Sequence, residues 1–345
     1  MGKRKLFDYC IGNPPFQKES IGNNESDTPL YQYFIEESKK VADCTELIHP
    51  ARFLFNAGAT SKEWNEKMLS DTHYKVLEYI PNSKSVFSNA DIKGGIAITY
   101  YSEQKEFDAI GVFTAFSELN SIVQKVWLHN NIEQSLSTII TNRGIYRYSD
   151  LAYEEESNEM KKTADRRIAP SAFERMPKLF TESKPDDNKE YIQIYGNIKS
   201  TRMYRWFRKE YVQDVSNLYA YKVMVPKANG SGALGEVLST PLIGTPLIGF
   251  TETYISIGEF NNKYEAEAAL KYVKGKFARV MLGVLKVTQN NAKPAWKYVP
   301  LQDFTSSSDI DWSKSIHEID LQLYKKYGLS KEEIDFIETN VKEMV

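Results

Sequence analysis

A chain of 345 residues, 41% hydrophobic and 26% charged, is long enough to bury two cores. No apolar run approaches a membrane span and no signal-peptide core is recognisable at the start. A net charge of −2 excludes a uniformly basic nucleic-acid binder; two cysteines and four histidines offer neither a disulfide framework nor metal-ligand spacing, which predicts a reducing, cytoplasmic setting.

Leu6 to Ile11 read as a short buried strand that stops in Gly12-Asn13-Pro14-Pro15-Phe16. Each proline fixes its own φ and holds the residue before it extended. Asn13 and Pro14 are thereby placed at the carboxyl end of a strand, where open α/β sheets hold their ligands. The Asn13 amide and the Gly12, Asn13 and Pro14 carbonyls are then free to face a ligand, with the Phe16 ring beside them. Such a set suits a planar base carrying an exocyclic amine. It offers acceptors for two protons and an aromatic platform for a ring that has left a duplex. A plain strand-ending turn, with Pro14-Pro15 as punctuation, is the alternative.

Gln17 to Thr28, rich in Gly, Asn, Ser and acidic residues, reads as a mobile loop over the site. Pro29 opens a helix to about Ala42 whose buried face is Leu30, Phe34, Ser38 and Val41. Leu47 to Leu54 is the next strand, and Thr60-Ser61-Lys62-Glu63 a capping box opening a helix to Ser70. Tyr74 to Ile80 and Gly95 to Tyr101 are further strands. This alternation predicts an α/β unit with right-handed crossovers, roughly the second half of a doubly wound sheet.

From Phe107 the pattern changes to α+β. Residues 112–142 read as helical. Glu154 to Arg167 is a charge-segregated surface segment, and Lys184-Pro185-Asp186-Asp187-Asn188-Lys189 a hydrophilic loop rather than a nuclease signature. Strands are expected at Tyr191 to Tyr195, Tyr219 to Val225 and Thr253 to Ile257. Between the first two, Lys199, Arg202, Arg205, Arg208 and Lys209 interleave with Tyr204, Trp206 and Phe207. That set can neutralise phosphates and stack on bases; an amphipathic edge with an aromatic core stripe accounts for it as well. Gly230-Ser231-Gly232-Ala233-Leu234-Gly235 has the Gly-x-Gly-x-x-Gly spacing of a cofactor loop, yet Glu236 to Leu238 reads as strand rather than helix. Residues 262–285 read as one amphipathic helix. Two helices, Ser315 to Tyr327 and one opened by the capping box at Ser330, complete the pattern.

The stretch Phe7-Asp8-Tyr9-Cys10-Ile11-Gly12-Asn13-Pro14-Pro15-Phe16 resembles the catalytic motif of the N6-adenine DNA methyltransferases of restriction-modification systems, above all the methylase part of fused type IIG enzymes. Asp91 to Ile98, Glu252 to Ile255 with Lys276 to Arg279, Trp296 to Phe304, and Asp309 to Trp312 are similar to further stretches of that family. The resemblance implies a partial Rossmann-like methyltransferase sheet in residues 1–105 and an α+β DNA target-recognition region in residues 106–345. It implies methyl transfer from S-adenosylmethionine to N6 of a flipped adenine in double-stranded DNA. Asn13 and Pro14 would grip the amine, Pro15 would complete the motif and Phe16 would stack on the ring. Members in the usual order carry a glycine-rich turn and an acidic residue upstream of this motif, whereas five residues precede the strand here. The cofactor half is therefore expected on a second polypeptide, or the chain is expected to self-associate through an unpaired strand edge. A DNA-specificity module without catalysis, and an RNA or protein methyltransferase, are the other readings.

Overall fold

The computed structural model describes residues 5–18, 28–88, 92–127, 134–199 and 201–344. The chain divides into two compact units, Met1–Asn120 and Ser121–Val345. No helix among the described residues is long and apolar enough to cross a membrane.

In the first unit, β1 (Phe7–Gly12) is followed by two short strands, β2 (Gln17–Lys18) and β3 (Thr28–Pro29), which pair with each other. Then come α1 (Tyr31–Val41), β4 (Ala42–Pro50), α2 (Lys62–Ser70), β5 (Tyr74–Ile80) and β6 (Ile96–Ser102). The larger sheet has the order β1-β4-β6-β5. Only β1 and β4 run parallel; β6 is antiparallel to both of its neighbours. The mixed α/β character expected from the sequence is present, with fewer parallel pairs than the alternation suggested.

One face of this sheet is covered. Tyr31 and Ile35 of α1, with Phe53, Leu54, Met68 and Leu69, pack in one core with Leu47, Tyr74 and Ala97. The other face is open at β1, where Phe7, Tyr9 and Ile11 expose 58%, 69% and 77% of their surfaces. Side chains alternate across a strand, and here the apolar set of β1 points away from the helices while Cys10 and Gly12 point toward them. The strand therefore forms where expected but is not buried. Its outer edge has no neighbouring strand among the described residues.

Several boundaries differ from the sequence reading for local reasons. Pro29 lies in β3, so α1 begins at Tyr31 and buries Tyr31, Ile35 and Ser38, leaving Phe34 45% exposed. Extended Ala42 ends the helix and starts β4 directly, and Arg52–Phe55 is a 3-10 turn rather than strand. Ser61, not Thr60, caps α2: its hydroxyl accepts from the Trp64 amide at 3.2 Å, while the Thr60 hydroxyl donates to Asn65 at 2.7 Å.

Among its described residues the second unit holds most of α3 (Ser117–Trp127), the short helices α4 (Asp150–Glu155), α5 (Ser157–Met160) and α6 (Ala172–Arg175), and six strands. The strands are β7 (Tyr191–Ile198), β8 (Thr201–Arg208), β9 (Tyr221–Pro226), β10 (Leu242–Gly244), β11 (Ile248–Phe250) and β12 (Tyr254–Phe260). They form two three-stranded sheets, β10-β9-β12 and β11-β7-β8, around an aromatic core that includes Tyr146, Tyr148, Phe173, Phe180 and Phe207. The helix expected over 112–142 is confined to α3; residues 128–133 of that stretch lie outside the described residues, and Ile140 bridges to Ile257.

The helix expected over 262–285 is two helices, α7 (Lys263–Lys274) and α8 (Lys276–Leu282), broken at Gly275 with φ −58° and ψ 152°. The buried Asp320 carboxylate explains the break, accepting from the Lys276 and Phe277 amides at 2.8 and 3.1 Å. It caps a new helix start inside what the apolar spacing presents as one run. The last two helices, α9 (Ile316–Lys326) and α10 (Lys331–Asn340), both open with capping boxes, at Ser330 as expected and also at Ser315.

Candidate functional site

The Gly12–Phe16 segment leaves the carboxyl end of β1 with Asn13 and Pro15 exposed, Pro14 buried and Phe16 half-buried. Among the described residues the Asn13 side chain makes no hydrogen bond. The Phe16 carbonyl accepts from the Leu30 amide at 3.0 Å, which ties the segment to the start of α1. Its ring meets Phe87 edge-on with centroids 5.7 Å apart. Of the loop expected over Gln17 to Thr28, residues 19–27 lie outside the described residues; its two ends pair as β2 and β3.

A cavity of about 470 Å³ opens where β1 and β4 end, lined in part by Phe16, Tyr31, Pro50, Arg52, Ile92 and Lys93. Its size falls within the range of about 300–1,000 Å³ common for small-molecule pockets. Phe16 belongs to its wall, whereas Asn13, Pro14 and Pro15 do not. Burial pushes the Tyr31 hydroxyl up to about 12, an effect that the Thr60 hydroxyl and the Arg52 guanidinium partly offset. Tyr31 is therefore a neutral hydrogen-bonding group beside a permanent cation.

Behind this wall sits a closed polar network. Tyr31 stacks on His49 with centroids 5.5 Å apart and planes 6° from parallel. His49 Nδ1 lies 3.1 Å from the Pro50 carbonyl, which can only accept, so Nδ1 carries the proton. Nε2 then accepts from the Thr99 hydroxyl at 2.8 Å, and Thr99 in turn accepts from the Tyr74 hydroxyl at 2.7 Å. Complete burial pulls the imidazole down to about 4, keeping it neutral. This network fixes Pro50 and Tyr31, two residues of the cavity wall.

Tyr31, Arg52 and Lys93 were not singled out from the sequence. Arg52 follows the end of β4 in a stretch that reads as strand, which hides it. Its stem lies against Gly58 and Gly94, both at positive φ (96° and 89°), where an added Cβ would meet Arg52 side-chain atoms at 3.2 and 2.7 Å, a neighbourhood that only the structure shows.

The basic run divides into two parts. Lys199, in the turn between β7 and β8, has φ 45°; Ser200 lies outside the described residues. Arg202 reaches the Ser239 and Thr240 carbonyls at 3.5 and 3.4 Å. The other three cations are held by acids: Arg205 by Glu182 at 2.7 Å, Arg208 by Glu155 at 2.5 Å, and Lys209 by Glu190 at 2.7 Å. Of the interleaved aromatics, Phe207 is fully buried and Tyr204 packs on Tyr195.

The glycine-rich spacing at 230–235 is already filled. The Glu236 carboxylate accepts from the Ser231 and Gly232 amides at 2.7 and 3.1 Å and from the Ser231 hydroxyl at 2.6 Å. Lys286 adds a charge at 3.2 Å, and these contacts outweigh burial to hold the carboxyl down at about 2. The loop forms an anion-binding nest, with the chain's own carboxylate inside. Residues 236–238 are not strand, contrary to the sequence reading.

Residues 1–87 match the family described as Eco57I restriction-modification methylase. That match takes in β1, the Asn13-Pro14-Pro15-Phe16 segment, Tyr31 and Arg52. Among solved structures the chain is similar to the type IIG restriction endonuclease BpuSI, with 10% identity and a TM-score of 0.32, over 92% of this chain and 50% of that one. The chain thus spans half the length of that enzyme, and the superposition is too loose to carry any inference about the site. The curated proteins return no match.

Proposed function

We propose that this chain supplies the base-gripping part of an adenine-N6 DNA methyltransferase of a restriction-modification system. The observation that carries this reading is the Asn-Pro-Pro-Phe segment at the carboxyl end of β1, beside a cavity of about 470 Å³ and inside the stretch matched by the methylase family. The Asn13 amide oxygen and the Pro14 carbonyl accept the two protons of the exocyclic amine. Accepting both favours a pyramidal nitrogen, whose lone pair is then no longer delocalised into the ring. Phe16 stacks on the base once it is extrahelical. S-adenosylmethionine supplies an already electrophilic methyl group, so no protein nucleophile is required.

The glycine-rich spacing at 230–235 does not fit that cofactor, because Glu236 occupies its amides. We therefore assign the cofactor site to a polypeptide segment outside these residues that adds a strand to the free edge of β1. Support comes from the exposed Phe7, Tyr9 and Ile11 on that edge strand; such an edge invites pairing with another chain. The isolated chain is expected to bind S-adenosylmethionine weakly or not at all, and to self-associate through β1. Calorimetry with the monomer is the check: micromolar or tighter binding would place a cofactor site within these residues and overturn the assignment. The same filled loop also favours a second reading, a DNA-specificity chain without catalysis. Methyl incorporation into adenine-containing duplexes, by the chain alone and with a cofactor-bearing polypeptide, separates the two.

Residues 106–345 act in this reading as the target-recognition region, with β8 facing the DNA backbone. Replacing Arg202, Arg205, Arg208 and Lys209 together should weaken binding across all sequences and lower the salt slope by up to about 0.9 per lost phosphate contact. Since three of the four are already paired with acids, the expected change is nearer to one contact than to four. An unaltered slope would assign β8 to structure alone.

A further inference from the structure

Arg52 differs from every other arginine among the described residues. Arg143, Arg166, Arg167, Arg205 and Arg208 are in ion pairs. Arg147, Arg175, Arg202 and Arg279 donate to backbone carbonyls. Arg52 has neither kind of partner among the described residues; it is exposed, and only its backbone and stem are placed by their surroundings. Its carbonyl accepts from the Asn56 and Ala57 amides. Its stem lies in a slot made by Gly58 and Gly94, where the left-handed backbone admits no ordinary side chain without strain. Arg52 lines the same cavity as Phe16 and Tyr31, and Lys93 adds a second cation to that wall.

A cation fixed in backbone and stem but lacking a counter-ion is arranged to receive an anion from outside. Placement of the stem lowers the ordering cost of a forked, charge-assisted contact to phosphate, which is stronger than a neutral one. We propose that Arg52 binds a phosphate flanking the extrahelical nucleotide, holding the sugar-phosphate backbone while Phe16 holds the base. The inference rests on the base-gripping reading of the Asn13–Phe16 segment. It adds a positioning residue from a different element, the turn after β4, which no property of that segment requires.

The test compares deoxyadenosine with deoxyadenosine 3′,5′-bisphosphate by calorimetry on the full chain, wild type, Arg52→Gln and Phe16→Ala. The bisphosphate is expected to bind wild type at least about tenfold more tightly than the nucleoside, as one charge-assisted contact implies. Arg52→Gln should erase that advantage and leave nucleoside binding unchanged, with Arg52→Lys retaining part of it. Phe16→Ala should weaken both ligands alike. A bisphosphate advantage that survives Arg52→Gln, or no advantage in wild type, overturns the proposal. So does loss of S-adenosylmethionine binding in Arg52→Gln with the bisphosphate unaffected, which would give Arg52 to the cofactor carboxylate. If ribose bisphosphate without a base binds as tightly as the nucleotide, and does so through Arg52, the phosphate site stands and the base-gripping reading fails. Thermal melts of each variant exclude unfolding as the cause.

Discussion

In a complex competent for methylation, Asn13→Ala is expected to lower turnover by about 10²–10³-fold, the size of one lost preorganised hydrogen-bonding group. Asn13 is exposed, and its side chain has no hydrogen-bond partner among the described residues. Its removal therefore takes nothing from the fold, and the loss reports chemistry. The contact strengthens as the amine becomes pyramidal on the way to the transition state, so the loss should appear in kcat while KM changes little. Single-turnover methylation, run beside a melting curve of the variant, checks both halves of the expectation. Unchanged turnover would return Asn13-Pro14-Pro15-Phe16 to the status of a strand-ending turn.

Lowering the pH from 7 to 5 should cost the fold about 2 kcal/mol through His49 alone. The imidazole sits at about 4 in the folded chain and at about 6.5 when unfolded. Its folded value is depressed, so the unfolded state takes up the proton first. The contribution is complete above about pH 6.5 and is lost as the pH falls toward 4. Asp320 works in the opposite direction: burial raises its carboxyl to about 6, so the folded state gains relative stability as that group protonates. Whole-chain curves mix the two. Urea unfolding of wild type and His49→Gln at pH 7 and pH 5 isolates the first. The variant should be less stable at pH 7 and show a smaller acid loss; equal losses in both proteins would remove His49 as the cause.

Strands β1, β5 and β6 were legible because apolar strand spacing and the Gly12-Asn13-Pro14-Pro15-Phe16 stop are local signals, whereas β2 and β3 were not expected and β4 starts at Ala42 rather than Leu47. What lay beyond the sequence was non-local. Nothing in the spacing of Phe7, Tyr9 and Ile11 tells which face of β1 a helix will cover; an uncovered apolar face there was expected only from the resemblance, and these three residues are exposed. The α7–α8 break depends on Asp320, far away in the chain, and the apolar spacing of 262–285 runs through it without a mark. Likewise the Gly-x-Gly-x-x-Gly spacing describes a loop that can hold an anion, while Glu236 decides that the anion is internal. Arg52 was hidden because its slot is assembled from Gly58 and Gly94, two separate loops. The motif was visible, and the cation lining the same cavity was not.

The Gly275 break has a consequence for how this sequence can drift. A Cβ at position 275 would lie 2.7 Å from Asp320 Oδ1, and that carboxylate holds the amides of Lys276 and Phe277. Any side chain at 275 collides with the cap, and loss of the carboxylate at 320 strips the new helix start of its acceptor. Single changes at either site are thus disfavoured while the other keeps its present residue. Joint replacement, such as alanine at 275 with a residue at 320 that no longer reaches the turn, opens a path by letting the two helices fuse. Descendants of this chain should therefore show positions 275 and 320 exchanging as a pair, with intermediates rare, and a straightened helix wherever the exchange has occurred.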